Sequence, residues 1–364
     1  MGVFAFENMK VSHFRSHKKT SIKFSPGPMV FYGPNGAGKT NILEAVSLFS
    51  PGRGLRNAPT LDLVRQPEEI GWKVSTRFKN FEDVYDLDTW SSGGSLRRLL
   101  IDDKKQNQVA LGKLVRMLWI TPLMDRLWVE GASERRRFLD RLVLSLDPEH
   151  AENSINYNRA LKERNRLIKD RSQDQSWFNV LELQMAQSGM ALDKARRQVI
   201  SKLSSANFEL GDLFPVAKLK LIGPQFENVD EFLSALKNNR KKDIMAGRTL
   251  LGPHKSDLQA IHKQKELEAK NCSTGEQKVL LLSIVLANAR VQIGEFKAAP
   301  ILLFDEVCAH LDEERRNLLY DEICSLGAQV FLTGTDLDVF NGIKGRAQFF
   351  KVESFKGETH LTET

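Results

Sequence analysis

Three short segments of this chain combine residue types and spacings suited to phosphate chemistry. Gly33-Pro34-Asn35-Gly36-Ala37-Gly38-Lys39-Thr40 matches the pattern G-x-x-x-x-G-K-[ST] in full. Its glycines let backbone N–H groups converge on phosphate oxygens at a helix N-terminus, where the helix dipole favours negative charge. Lys39 is suited to reach the β- and γ-phosphates of ATP, and the Thr40 hydroxyl to ligate Mg²⁺. A mere tight turn is the bland alternative, yet few chance matches sit between an apolar strand and a helix, as this one does.

Ile301-Leu302-Leu303-Phe304 reads as a buried strand that ends in Asp305-Glu306. Two carboxylates are costly in such a place unless something cationic faces them. Asp305 would there hold the water shell of Mg²⁺, and Glu306 would orient or deprotonate an attacking water as the catalytic residue. An N-cap pair at a strand exit is the alternative, and the upstream loop weighs against it. The third segment, Ser273-Thr274-Gly275-Glu276-Gln277, precedes an apolar helix. Alone it is a capping box, with Ser273 followed three residues later by Glu276. Its place shortly before the Asp-Glu strand adds a second reading, a helix N-terminus that meets an anion.

The surrounding elements must position these groups. Residues 3–6 and 22–24 are short β-type runs, and residues 29–32 are apolar and run straight into Gly33. Residues 41–49 have helical spacing and stop at Ser50-Pro51-Gly52. Alternating patterns over 72–78, 83–87 and 96–101 predict an antiparallel sheet with a turn at Ser91-Ser92-Gly93-Gly94. From 133 to about 208 the chain is almost free of Gly and Pro, which predicts several helices. Leu251-Gly252-Pro253-His254 closes that region, and a strand pattern returns at 258–261. The last hundred residues read as a helix at 279–289, a strand at 301–304, a helix at 313–325 and a strand at 329–333. Internal repeats and sustained heptads are absent, so a long coiled coil is not expected.

Composition is that of an ordinary globular chain, 41% hydrophobic and 27% charged. The first residues lack a basic region followed by an apolar one, as a secretory signal would need. No apolar run approaches the ~18 residues that span a bilayer; the longest, 279–287, is interrupted by Ser283 and suits a buried helix. Cys272, Cys308 and Cys324 have no metal-ligand spacing and are expected as reduced thiols in the cytoplasm. An excess of 53 basic over 46 acidic residues permits a polyanionic partner without demanding one. Residues 157–170 carry Arg159, Lys162, Arg164, Arg166 and Lys169 against Glu163 and Asp170, either a solvated helix face or a phosphate-contacting surface.

Taken together, the segments and their flanks resemble the RecF family of bacterial DNA-repair ATPases, relatives of the SMC proteins and of ABC-type ATPases. The resemblance runs through Phe14-Arg15, Thr40-Asn41-Ile42-Leu43-Glu44-Ala45 and Gly52-Arg53-Gly54-Leu55-Arg56. It continues in Ile120-Thr121-Pro122, Gly131 and Arg135-Arg136-Arg137-Phe138-Leu139-Asp140. Leu251-Gly252-Pro253-His254-Lys255-Ser256-Asp257-Leu258 is its most distinctive part, and Leu311-Asp312-Glu313-Glu314-Arg315-Arg316 completes it.

The resemblance implies an α/β, ABC-type P-loop ATPase head. One lobe of mixed sheets and helices would come from 1–120 and 250–364, with a mainly helical lobe inserted over 121–249. ATP would be sandwiched between two subunits, with Ser273, Gly275 and Gln277 reaching the partner's nucleotide and Asp312 lying across the interface. The ATP-dependent homodimer would clamp DNA, act with RecO- and RecR-type mediators to load recombinase at single-strand gaps, and hydrolyse slowly. The helices around 135–141 and 159–169 would contact DNA. Some positions depart from the pattern. Thr333 or Thr335 stands where many ABC ATPases place a γ-phosphate-sensing His, the signature lacks two adjacent glycines, and Gln66 is the one candidate for a metal-contacting glutamine. His254 is expected as a lobe contact. Two rivals differ in class. A transporter ATPase would need a coupling surface for membrane helices, and an SMC-type clamp would need the coiled coil that this insert lacks.

Overall fold

The computed structural model describes residues 4–93, 95–206 and 214–364, so the expectations at Val3, Gly94 and Phe208 lie outside the described residues. Backbone packing divides the chain into two compact units. One takes the chain up to 125 and again from 281 onwards; the other takes nearly all of 126–280.

The first unit opens with β1 (Phe4–Phe14), β2 (His17–Lys23), β3 (Pro28–Tyr32) and α1 (Lys39–Ser47). It continues with β4 (Trp72–Asn80), β5 (Asp83–Ser91), β6 (Arg98–Ile101), β7 (Lys104–Gln106), α2 (Leu111–Leu114) and β8 (Met117–Ile120). The second unit contains α3 (Ala132–Leu146), α4 (Glu149–Lys169), α5 (Gln175–Ala206), β9 (Ala217–Ile222), α6 (Val229–Ala246), β10 (Asp257–His262) and β11 (Leu267–Glu268). Helix α7 (Thr274–Phe296) leads back to β12 (Ile301–Phe304), α8 (Glu313–Ser325), β13 (Val330–Gly334), β14 (Gln348–Phe355) and β15 (Glu358–Glu363).

Two six-stranded sheets build the first unit. The order β2-β1-β4-β5-β6-β7 is antiparallel throughout, and β4 shows why: Trp72, Val74 and Phe78 turn into the core while Lys73 and Arg77 face water. The same alternation carries β1 on to Phe14, well past the apolar run at 3–6, because Glu7 and Lys10 sit on the wet face. The second sheet has the order β15-β14-β3-β13-β12-β8 and is parallel apart from β15. Its central strands β12 and β13 are wholly buried, as parallel strands covered on both faces must be. Helix α7 is longer than the apolar run at its centre. By length and hydropathy it could cross a bilayer, but two-thirds of that stretch is buried inside the protein.

In the second unit, helices α3 to α6 accompany a small antiparallel sheet of order β11-β10-β9 among the described residues. Here the structure differs from the expected boundary at 250. β10 pairs with β9 from Asp257↔Ile222 to His262↔Ala217, so this strand packs with the helices and not with the α/β sheets. The fully buried Arg164 lies 2.8 Å from Asp243 and 3.1 Å from Glu182 and also donates to Thr249. A guanidinium removed from water persists only with such partners.

Candidate nucleotide-binding site

The phosphate loop leaves β3 and enters α1, with Pro34, Asn35 and Gly36 exposed and Ala37, Gly38 and Lys39 buried. Two of its glycines are dictated by close approach. A Cβ at Gly33 would lie 2.0 Å from the Val352 carbonyl oxygen, and one at Gly38 would lie 2.3 Å from Thr359 Oγ1. Gly38 also adopts φ +105°, in the left-handed region that favours glycine. Behind the loop stands a polar brace. Thr359 Oγ1 donates to the Ala37 carbonyl at 2.8 Å, Asn41 donates to Ser16 Oγ at 2.8 Å, and Arg65 donates to the Ser16 and Gly357 carbonyls. His17 lies beneath, its Nδ1 2.9 Å from Thr20 Oγ1 and its Nε2 3.4 Å from the Gly38 carbonyl. Burial pushes its pKa down to about 4, so the ring is neutral. Sequence reasoning missed Ser16, His17, Arg65 and Thr359, and nothing local marks them.

Lys39 Nζ donates to the Gly33 carbonyl at 2.7 Å and the Pro34 carbonyl at 3.0 Å. Burial lowers its pKa, opposed by the charges of Glu306, Asp305 and Asp336. Asp336 was not foreseen; it follows β13 and accepts from the exposed Thr335 hydroxyl at 3.0 Å.

The parallel sheet brings the acids to the loop. Thr40 Oγ1 donates to Asp305 Oδ1 at 2.8 Å, and Thr333 from the neighbouring β13 donates to the same oxygen at 2.8 Å. The Thr333 oxygen in turn accepts the Glu306 N–H at 2.9 Å. Glu306 has φ +53°, uncommon for a residue with a side chain, and its carboxylate has no hydrogen-bond partner among the described residues. These groups stand at the C-terminal ends of β3, β12 and β13, the edge at which open α/β sheets bind ligands. The adjoining Thr40 hydroxyl and Asp305 carboxylate are hard oxygen donors that fit Mg²⁺. Glu44 on α1 is buried and held by Arg15 at 2.8 Å and Arg56 at 3.1 Å. No hydrogen bond joins Gln66 to these groups among the described residues.

The remaining expected site residues lie elsewhere in the fold. Ser273 donates from both N–H and Oγ to Glu276 Oε2, each at 2.9 Å, which realises the capping box. Glu276 also pairs with Lys265, and that bond, aided by Ser273, holds its pKa at about 2. Ser273, Thr274 and Gly275 are exposed, and a Cβ on Gly275 would meet nothing within 4 Å. Gln277 differs from expectation. Its side chain is buried and its amide nitrogen donates to the Cys272 carbonyl at 2.9 Å. Asp312 is exposed and caps α8 by accepting from the Arg315 N–H at 2.8 Å.

The basic helices are largely occupied by internal partners. Arg135 is 2.7 Å from Asp257, Arg136 donates to the Ser256 carbonyl, Arg137 is 2.6 Å from Glu134 and Arg166 is 3.1 Å from Glu163. Among the described residues Arg159, Lys162 and Lys169 remain exposed without a side-chain partner. A second basic surface lies on the outer face of the antiparallel sheet. The register aligns Lys19, Ser12, Lys73, Trp90 and Arg98 in one cross-strand row, beside Ser21, Lys10, Ser75 and Asp88 in the next, where Asp88 pairs with Lys73 at 3.1 Å. His254 is structural. Its Nδ1 accepts from the Tyr157 hydroxyl at 2.6 Å and its Nε2 donates to the Thr249 carbonyl, and burial lowers its pKa to about 4.

Comparison with known proteins agrees with this architecture. The family described as RecF/RecN/SMC N terminal domain matches residues 5–358. The chain is 42% identical to the DNA replication and repair protein RecF of Rhizobium rhizogenes over 358 residues, 94% of this chain and 96% of that one. It is 41% identical to RecF of Mesorhizobium japonicum over 361 residues, 95% of each. Among solved structures, that of the recombination mediator protein RecF-ATP in the RecFOR pathway gives a TM-score of 0.83 at 22% identity, covering 100% of both chains. An SMC head bound to the C-winged helix domain of ScpA gives 0.60 at 19% identity, covering 99% of this chain and 97% of that one. At these identities the structural likeness speaks for the fold, an SMC/RecF-type ATPase head.

Proposed function

The chain belongs to the RecF family, and from that premise we propose that it is an ATP-dependent DNA-binding protein of replication and recombinational repair. The observation that carries this reading is the meeting of loop and strand at a single carboxylate oxygen: Asp305 Oδ1 accepts hydrogen bonds from the hydroxyls of both Thr40 and Thr333. ATP lies along Gly33–Thr40, its phosphates on the loop N–H groups. Lys39 exchanges the Gly33 and Pro34 carbonyls for phosphate oxygens, an exchange that its partly desolvated ammonium favours. Thr40 and Asp305 would hold Mg²⁺, which when bound would neutralise charge on the phosphate oxygens. Glu306, with its carboxylate unengaged, orients the attacking water.

This site is half of one. The exposed Ser273 and Gly275 at the start of α7, with open space around Gly275, suit the phosphate of a second copy's nucleotide, and the outward carboxylate of Asp312 suits a contact across the same interface. ATP is then the glue of a homodimer, and slow hydrolysis releases it. The exposed Lys19 and Arg98 of that row, with the neighbouring Lys10, suit a DNA backbone better than α3, where Arg135, Arg136 and Arg137 are engaged internally. Mediators of the RecO and RecR type complete the reading.

The test is a DNA titration with and without ATP, comparing the native chain with Lys39→Ala. Native protein should bind DNA at least tenfold more tightly with ATP, and Lys39→Ala should lose that increment. An ATP-dependent increment that survives in Lys39→Ala contradicts the reading.

A further inference from the structure

We infer that Thr333 is a positioning residue for ATP hydrolysis, its one hydroxyl locking Asp305 and the backbone of Glu306 into a single unit. The inference rests on the nucleotide-site reading above. Strand β13 is wholly buried, and Val330, Phe331 and Leu332 before Thr333 are all apolar. Valine would fill the same space at this position. A hydroxyl in such surroundings persists only if both its proton and a lone pair are used. Here both are: the proton goes to Asp305 Oδ1 at 2.8 Å, and the oxygen accepts the Glu306 N–H at 2.9 Å.

That second bond matters because Glu306 sits at φ +53°, a conformation that survives only where its surroundings hold it. The left-handed turn sets the direction in which the Glu306 carboxylate leaves the chain. The first bond matters because Thr333 and Thr40 both fall on Oδ1, which fixes the rotation of the Asp305 carboxylate and leaves Oδ2 without a hydrogen-bond partner among the described residues. One side chain thus fixes both the metal-side acid and the water-side acid. Thr335, the other candidate near the end of this strand, is exposed and engaged with Asp336 instead.

The experiment compares native chain, Thr333→Val and Thr333→Ser in three measurements: equilibrium binding of a fluorescent ATP analogue, single-turnover hydrolysis, and melting temperature without nucleotide. Thr333→Val should bind nucleotide within about twofold of native and hydrolyse about tenfold or more slowly. Its ATP-held dimer should persist longer, and Thr333→Ser should recover most of the rate. Thr333→Cys, a weak donor of similar shape, should fall between and serves if the valine variant does not fold. Native-rate hydrolysis in Thr333→Val or Thr333→Cys overturns the inference. So does a parallel fall in nucleotide affinity and melting temperature that serine does not rescue. A native chain that binds no ATP overturns the nucleotide reading itself, and is seen before any substitution is compared.

Discussion

At the scale of single residues the site is a small set of polar atoms with their partners assigned. Asp305 Oδ1 accepts from two threonines, Lys39 donates to two loop carbonyls, and His17 is kept neutral beneath Gly38. The histidine yields a pH prediction. Its folded pKa of about 4 lies below the ordinary 6.5, so unfolding takes up a proton between those values. His17 therefore subtracts stability progressively as pH falls from 6.5 towards 4 and has no such effect above that window. Melting curves of native protein and His17→Gln should draw together as pH is lowered through it; a pH-independent gap would refute the assignment. The residues proposed for phosphate chemistry stand out in the sequence because their pattern is local: Gly33 to Thr40 are contiguous, and Asp305-Glu306 ends an apolar strand. The brace of Ser16, His17, Arg65 and Thr359 was not, because each residue gains its meaning only when strands remote in sequence pair.

At the scale of elements, glycines separate folding from assembly. Gly33 is pressed against the β14 backbone, whereas Gly275 at the start of α7 faces open space. Gly33→Ala should lower unfolding stability by roughly 1–3 kcal/mol, and Gly275→Ala should stay within about 0.5 kcal/mol of native, as thermal melting would read. Equal losses would mean that α7 begins in a packed environment. β3, α1, β12, α8 and β13 follow from apolar runs and caps that the sequence displays directly. β14 and β15 do not, since the alternation of β14 is broken by the adjacent buried Phe349 and Phe350 and the exposed Phe355, on a strand pair that completes the sheet edge. Gln277 shows the limit of reading a motif by spacing. The helix that Ser273 caps carries Gln277 round to its buried side, where the Cys272 carbonyl takes its amide.

At the scale of the molecule, two units are woven from a chain that visits the first, builds the second and returns. The α/β class and the helical insert were legible from periodicity and family resemblance. The strand at 257–262 lies with the second unit and not with the α/β sheets, because its partner β9 falls inside the insert over 121–249 that was expected to be mainly helical. The outer sheet face makes the DNA reading quantitative. Lys10→Glu with Lys19→Glu should weaken DNA binding and reduce the salt slope by about one for each cation lost, while Arg135→Ala should change stability but not the slope. An unchanged slope in the double variant would move DNA to another surface. The central claim, that ATP joins two copies through Ser273 and Gly275, is met most directly by sedimentation of Glu306→Gln with and without ATP, beside the same chain carrying Ser273→Arg. ATP should convert Glu306→Gln to a dimer and leave the Ser273→Arg form monomeric with its nucleotide bound. An ATP-saturated Glu306→Gln chain that stays monomeric, or a Ser273→Arg form that dimerises equally well, would contradict the account.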